Sequence, residues 1–206
     1  MAPAATKTCH NLIYETMPKS ILIIPDSREV VDADTSWYHG YKNTLRSKDN
    51  EAFVARSPDE IAGTADEWME DSAALLGYYT DSNGVLVGQG LGGITVLRAL
   101  ERREGEEPIA GAMLVSTPIG VPSIHDEEKI KTFSGGFEFD WAKIRASAET
   151  FRVFHECDDP LVAVENGLSI VSHLGAQALG IFPGGGRHFT TPDGEATLLN
   201  LLPNLR

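Results

Sequence analysis

Cysteine is almost absent from this chain of 206 residues, which holds only Cys9 and Cys157. Two thiols so far apart, one of them in a stretch without sustained apolar period, do not make a disulfide framework. Both are read as free thiols of a reducing compartment. Long apolar runs are absent as well: none approaches the roughly 20 residues needed to cross a bilayer, so no spanning helix is expected. Met1 to Thr8 holds one lysine and no apolar stretch, which is not the pattern of a secretory signal. Positive charge is scarce. Against 30 Asp and Glu stand 17 Lys and Arg, a net charge of −13. Such a surface repels nucleic-acid phosphate and anionic lipid, so neither nucleic acid nor membrane is an expected partner. A cytoplasmic protein acting on a small-molecule substrate is what these exclusions leave. No feature of the sequence sets an oligomeric state.

With 42% hydrophobic and 23% charged residues, the composition is that of an ordinary folded protein. Residues 1–19 read as a surface tail and 20–206 as a single domain with a sizeable core. The chain is organised around Val85 to Leu100. Val85-Leu86-Val87 leads into Gly88-Gln89-Gly90-Leu91-Gly92, and an apolar-periodic segment follows at once. That is strand, tight turn, helix. Gly88 and Gly92 sit where a hydrogen in place of a side chain lets helix and strand approach closely. The spacing is that of a nucleophile elbow, a sharp turn that presents Ser, Cys or Asp at its centre. Here the centre is Gly90. The frame for nucleophilic catalysis is present and the nucleophile is missing.

Ile21 to Ile24, Phe53 to Ala55, Ala110 to Val115, Phe151 to Phe154 and Ala178 to Phe182 read as further strands, short and mostly without polar alternation. Helical stretches alternate with them: Trp37 to Leu45, a segment capped by Thr64 or Asp66 and running to Gly77, Trp141 to Ala148, Val164 to Leu174 and Thr197 to Leu201. This alternation predicts a three-layer, Rossmann-like α/β fold, with a mostly parallel central sheet and helices on both faces. Residues 118–140, punctuated by Pro and Gly, read as an irregular lid or binding loop.

In an open parallel sheet the site lies beyond the carboxyl ends of the strands. The loops there carry Asp26-Ser27-Arg28, Gly88 to Gly92, Cys157-Asp158-Asp159-Pro160 and Gly184 to Phe189 with His188. The order elbow, then Asp, then His is that of an α/β-hydrolase triad. Other clusters say less. His125-Asp126-Glu127-Glu128 has the composition of a metal site, but adjacent positions diverge on a helix, so a solvated face is expected and no metal. Gly184-Gly185-Gly186 lacks the Lys-Ser/Thr of a phosphate loop, and no cofactor is expected. Cys157 near a base would be a competent nucleophile, but two carboxylates follow it, a poor setting for a thiolate.

The wording of the chain after residue 20 resembles the small serine hydrolases related to retinoblastoma-binding protein nine and the bacterial YdeN-type proteins, members of the α/β-hydrolase superfamily. The resemblance rests on Ile24-Pro25, Ser36-Trp37-Tyr38-x-x-Tyr41, Val87-Gly88-x-x-x-Gly92 with Leu97-Arg98, and Leu114-Val115-Ser116. It continues through Trp141-x-Lys143-Ile144, Asp158-Asp159-Pro160 and Gly186-x-His188-Phe189. It implies that Asp159 is the acid, His188 the base and Gly90 the vacated nucleophile position. The histidine usual before the nucleophile is Gln89, and the glycine-rich first loop that supplies an oxyanion amide is replaced by Asp26-Ser27-Arg28. Leu91 would supply the other oxyanion amide, and Trp37 and Tyr38 would wall the pocket.

A His–Asp pair needs no serine to move a proton. The first expectation is therefore a non-hydrolytic, cofactor-independent acid/base catalyst on a small oxygenated metabolite, performing cyclisation, elimination, isomerisation or carbon–carbon cleavage. His188 would be the base or acid, oriented by Asp159, with Leu91 and the 26–28 loop facing an enolate and Arg28 a substrate carboxylate. Two alternatives stand beside it: a silent pseudo-hydrolase that binds without turnover, and a serine hydrolase whose serine was exchanged for glycine by design.

Overall fold

The computed structural model describes residues 19–26, 37–47, 49–56, 63–120, 127–175 and 178–182. Among the described residues, six strands form one sheet: β1 (Ser20–Ile24), β2 (Glu51–Val54), β3 (Gly84–Gln89), β4 (Gly111–Val115), β5 (Phe151–Glu156) and β6 (Ala178–Phe182). Their order is β2-β1-β3-β4-β5-β6, and every pairing is parallel. Parallel strands need crossovers that cover the faces, which is why Ile21–Ile24, Val85–Val87 and Ala112–Val115 are apolar without alternation.

The two faces divide the core by the period-2 geometry of strands. Leu22, Ile24, Leu86, Ala112, Leu114 and Val153 point to one side and join the larger cluster. There they meet α2 (Ala65–Asp71), α3 (Ala73–Tyr79), α4 (Leu91–Glu101), α5 (Glu127–Ser134), α6 (Trp141–Ala146) and α7 (Glu165–Leu174). Ile21, Ile23, Val85, Val87, Met113, Val115 and Phe154 point to the other side, where α1 (Trp37–Arg46) lays Tyr38, Tyr41 and Leu45 on them. The three-layer α/β arrangement expected from the alternation is the one observed.

Burial at this second face pushes the Tyr41 phenol well above its ordinary ionisation range. An unfolded tyrosine gives up its proton near pH 10, whereas the folded one keeps it, so alkaline pH drains stability from the folded state. Denaturant midpoints are expected to hold below about pH 10 and to fall above it. Tyr41→Phe should flatten that alkaline limb; an unchanged limb would mean that Tyr41 does not set it.

Two elements differ from the sequence reading. The single helix expected up to Gly77 is two. Thr64 caps α2 through a capping box, its Oγ1 accepting the Glu67 N–H at 3.2 Å while Glu67 Oε2 accepts the Thr64 N–H at 2.7 Å. The chain breaks at Ser72 and resumes as α3 through Gly77 to Tyr79, with Ala73 exposed. Within 118–140 stands α5, whose only large apolar residues, Ile130 and Phe133, are three apart and therefore share a face buried in the larger core. Part of the expected lid is thus core packing. His125 and Asp126 fall outside the described residues, as do residues 1–18, Cys9 included, and the helix expected over Thr197 to Leu201. Among the described residues, no helix is long and apolar enough to cross a membrane.

Candidate active site

Strand order reverses between β1 and β3: from β1 the chain crosses to β2 on one side, then returns to build β3 and the rest on the other. That is the topological switch point, where loops leaving neighbouring strands part and open a crevice. Register places Ile24 beside Gly88, so the residues that follow, Pro25-Asp26 and Gln89-Gly90, leave the sheet at one level.

The turn at Gly90 has the geometry of an elbow. Its φ of 53° and ψ of −121° are strained for a side-chain-bearing residue. Its N–H donates to the Val115 carbonyl at 3.0 Å and its own carbonyl accepts the Gly93 N–H at 3.0 Å, so α4 springs directly from it. A Cβ built on Gly92 would fall on the Ile24 carbonyl oxygen, with the Pro25 oxygen 2.7 Å away, and one on Gly88 would lie 2.7 Å from the Gly93 Cα. Both glycines are therefore required for helix and strands to approach, as the spacing predicts.

The position at Gly90 is not an open space. A Cβ built there would coincide with the Asp26 carboxylate, overlapping Cγ and Oδ1 and lying 2.7 Å from Oδ2. Asp26 is 2% exposed. Its Oδ1 accepts the Leu91 N–H at 3.0 Å, at the first turn of α4, where the helix end favours an anion. Two further bonds hold this carboxylate in register. The Asp26 N–H donates to the Tyr38 hydroxyl at 3.2 Å, and that hydroxyl donates to Gln89 Oε1 at 3.0 Å. Tyr38 and Gln89 are buried and tie the β1 loop to the elbow.

Asp26, Tyr38, Gln89, Gly90 and Leu91 are thus brought together, but not in the expected roles. The Leu91 N–H, expected to face a substrate oxyanion or enolate, is taken by Asp26. Tyr38, expected to wall a pocket, spends its hydroxyl on the two loops. The vacated nucleophile position at Gly90 is filled, because a glycine hydrogen lets the neighbouring carboxylate advance into the volume a side chain would claim. Trp37 is the first residue of α1. Ser27, Arg28 and His188 lie outside the described residues.

Asp159 stands on the loop beyond β5, two strands from the elbow or about 10 Å across the sheet. Its Oδ1 accepts the Leu161 and Val162 N–H groups at 2.8 and 3.0 Å, an Asx-type turn that fixes the carboxylate. Cys157 is exposed on the same loop, its Sγ 4.0 Å from Asp158 Oδ1.

Two residues at the strand ends received no role from the sequence. Ser116 follows β4, beside Gly90 by the Gln89–Val115 register. It is wholly buried at φ 43°, and its hydroxyl finds no hydrogen-bond partner among the described residues. Its only signal was its place in Leu114-Val115-Ser116. His155, at the end of β5, is wholly buried with Nε2 2.9 Å from the Val162 carbonyl oxygen, so that nitrogen donates into the acid loop.

The chain matches the family model described as serine hydrolase over residues 22–195. No curated protein matches it. Among solved structures it is similar to the ydeN gene product of B. subtilis, at 22% identity and TM-score 0.75, covering 91% of this chain and 98% of that one. It is similar to mouse alpha/beta hydrolase domain-containing protein 10, at 14% identity and TM-score 0.67, over 90% of this chain and 88% of that one. A monoacylglycerol lipase from Paleococcus ferrophilus aligns at 11% identity and TM-score 0.65, over 92% of this chain and 97% of that one.

Proposed function

The chain belongs to the serine hydrolase family and has its α/β-hydrolase fold, and from a glycine at the nucleophile position we propose that it is a cofactor-independent acid/base catalyst rather than an esterase. The observation that supports this is the Asp26 carboxylate on the Leu91 N–H. An acyl-transfer enzyme collects its developing negative charge on that amide, and removing one such donor costs about 10²–10³ in rate. Here the donor already serves an anion, and a second anion beside it is repelled. Without a nucleophile, a hydrolase retains only about 10³–10⁴ over water.

Proton transfer escapes both penalties. His188 is the acid or base, and Asp159 holds its ring as the acid of a triad does. The substrate is a small oxygenated molecule, and the reaction is a cyclisation, elimination, isomerisation or carbon–carbon cleavage. The Asp26 contact also favours a second reading, a silent pseudo-hydrolase that binds ligand without turnover.

Incubation of the protein with a small-molecule extract, followed by mass spectrometry of depleted and newly formed species, separates the readings. The wild type is expected to convert a compound that His188→Ala converts about 10²–10⁴-fold more slowly. Equal conversion by both proteins would remove His188 from the chemistry. Binding without conversion would favour the silent reading.

A further inference from the structure

We propose that the edge of β2 is a docking surface for a second copy of this chain, and that Arg46 is the latch that keeps it shut.

The edge follows from the backbone. Among the described residues, β2 is the outermost strand on the β1 side of the sheet. The Glu51 N–H donates to the Lys19 carbonyl at 3.0 Å, and the Ala55 N–H to the Ile23 carbonyl at 2.8 Å. Residues 51, 53 and 55 therefore turn their backbone groups to β1, and Ala52 and Val54 turn theirs outward. An outward row of donors and acceptors is a template for another strand. One group in that row is engaged: the Ala52 carbonyl accepts the Arg46 Nε–H at 3.0 Å. Arg46 is the last residue of α1, so the helix end delivers a charged side chain to the edge.

The row is self-complementary, which selects the occupant. Two β2 strands pairing antiparallel about Phe53 set Ala52 of each copy against Val54 of the other, and each such pair exchanges two hydrogen bonds. The same two-fold axis places Phe53 opposite Phe53 of the second copy, Glu51 opposite Ala55, and Asn50 opposite Arg56. No like charges are opposed in this register. The exposed Arg56 of one copy approaches the turn that carries the exposed Asp49 of the other, opposite in charge. Phe53 itself is 44% exposed, an unusual state for a phenylalanine. With Tyr79 and the 57%-exposed Tyr78 it makes a run of rings at centroid spacings of 6.5 and 5.0 Å. The carboxylate of Glu51 is tied into this run, accepting the Tyr78 hydroxyl at 2.8 Å. Pairing would cover the Phe53 rings with each other and close at two copies, because each β2 edge is then used up. Arg46 opposes it in two ways. It withholds the Ala52 carbonyl of each copy from the ladder, and it sets a charge in the path of an incoming strand.

Light scattering after size-exclusion chromatography tests the latch. Wild type is expected to run as a monomer and Arg46→Ala as a dimer, an about twofold rise in mass. The substitution removes a positive charge from an acidic chain, so charge alone would drive the copies further apart. For the same reason the dimer fraction should rise with salt, as the screening length falls from about 10 Å at 0.1 M to about 3 Å at 1 M. Hydrogen exchange locates the contact: in dimeric Arg46→Ala, residues 50–56 should exchange about tenfold or more slowly than in wild type. Arg46→Ala combined with Val54→Pro is expected to return to the monomer, since proline removes an outward N–H and none that β1 uses. Should the double variant fail to fold, the exchange of residues 50–56 in Arg46→Ala decides alone. Any of four results would overturn the proposal: a monomeric Arg46→Ala, a wild type as dimeric as the variant, a dimer whose residues 50–56 exchange as in wild type, or a dimer that survives Val54→Pro.

Discussion

Gly90→Ser alone is expected not to produce an esterase, whereas Gly90→Ser combined with Asp26→Gly is. The serine supplies what the elbow lacks, and its backbone strain at φ 53° costs only about 1–2 kcal/mol, which hydrolase elbows tolerate. The obstacle is Asp26. The new Cβ would occupy the space of its carboxyl carbon, so the carboxylate must leave the Leu91 amide and find another buried place. Any arrangement that keeps it nearby sets a negative charge beside the forming oxyanion. Two charges 4 Å apart at an effective dielectric of 20 interact by about 4 kcal/mol, which removes about 10³ in rate. Glycine at 26 frees both the volume and the amide. The double variant should therefore hydrolyse p-nitrophenyl acetate at least about 10²-fold faster than Gly90→Ser and take up a fluorophosphonate label that the single variant resists. Strong labelling and turnover by Gly90→Ser alone would show that the site was built around a serine and that glycine is a later exchange.

Much of this was legible in the sequence, and the reasons are local. The apolar strands, the Gly88–Gly92 spacing and the alternation of elements are short-range patterns, and each follows from one physical rule: a strand buried on both faces has no polar period, and a helix packed on a strand needs glycine at the crossing. The helix at Glu127–Ser134 was missed because its buried face consists of two side chains in a charged context, too little for a periodic signal. The site was legible in its members but not in its contacts. Asp26 was visible as an intruder in a loop that the resemblance makes glycine-rich. That it would reach across to the elbow depends on the register of β1 against β3 and on the hydrogen at Gly90, which no single stretch of sequence displays. Asp26 and Gly90, 64 positions apart in the numbering, are one steric unit.

Gly92→Ala should be strongly destabilising, and it tests whether that unit depends on the close approach beneath it. The added methyl would meet the carbonyl oxygen of Ile24 and the atoms of the Ile24–Pro25 peptide, with the Ile24 carbonyl carbon and the Pro25 oxygen both at 2.7 Å. These are backbone atoms at the end of a strand bonded on both sides, so no rotamer change relieves the clash. Helix α4 must lift from β1, and both belong to the larger core. A cost above about 4 kcal/mol is expected, in the range reserved for overpacking that the backbone cannot relax. Gly77→Ala supplies the contrast. That glycine lies in α3 with nothing within 4 Å of its added methyl, and alanine there should stabilise by about 0.5–1 kcal/mol through helix propensity. Urea midpoints of the two variants should therefore move in opposite directions. If Gly92→Ala folds with wild-type stability, α4 and β1 are not in contact as described, and the placement of Asp26 at the elbow loses its support, since the same strand end carries both.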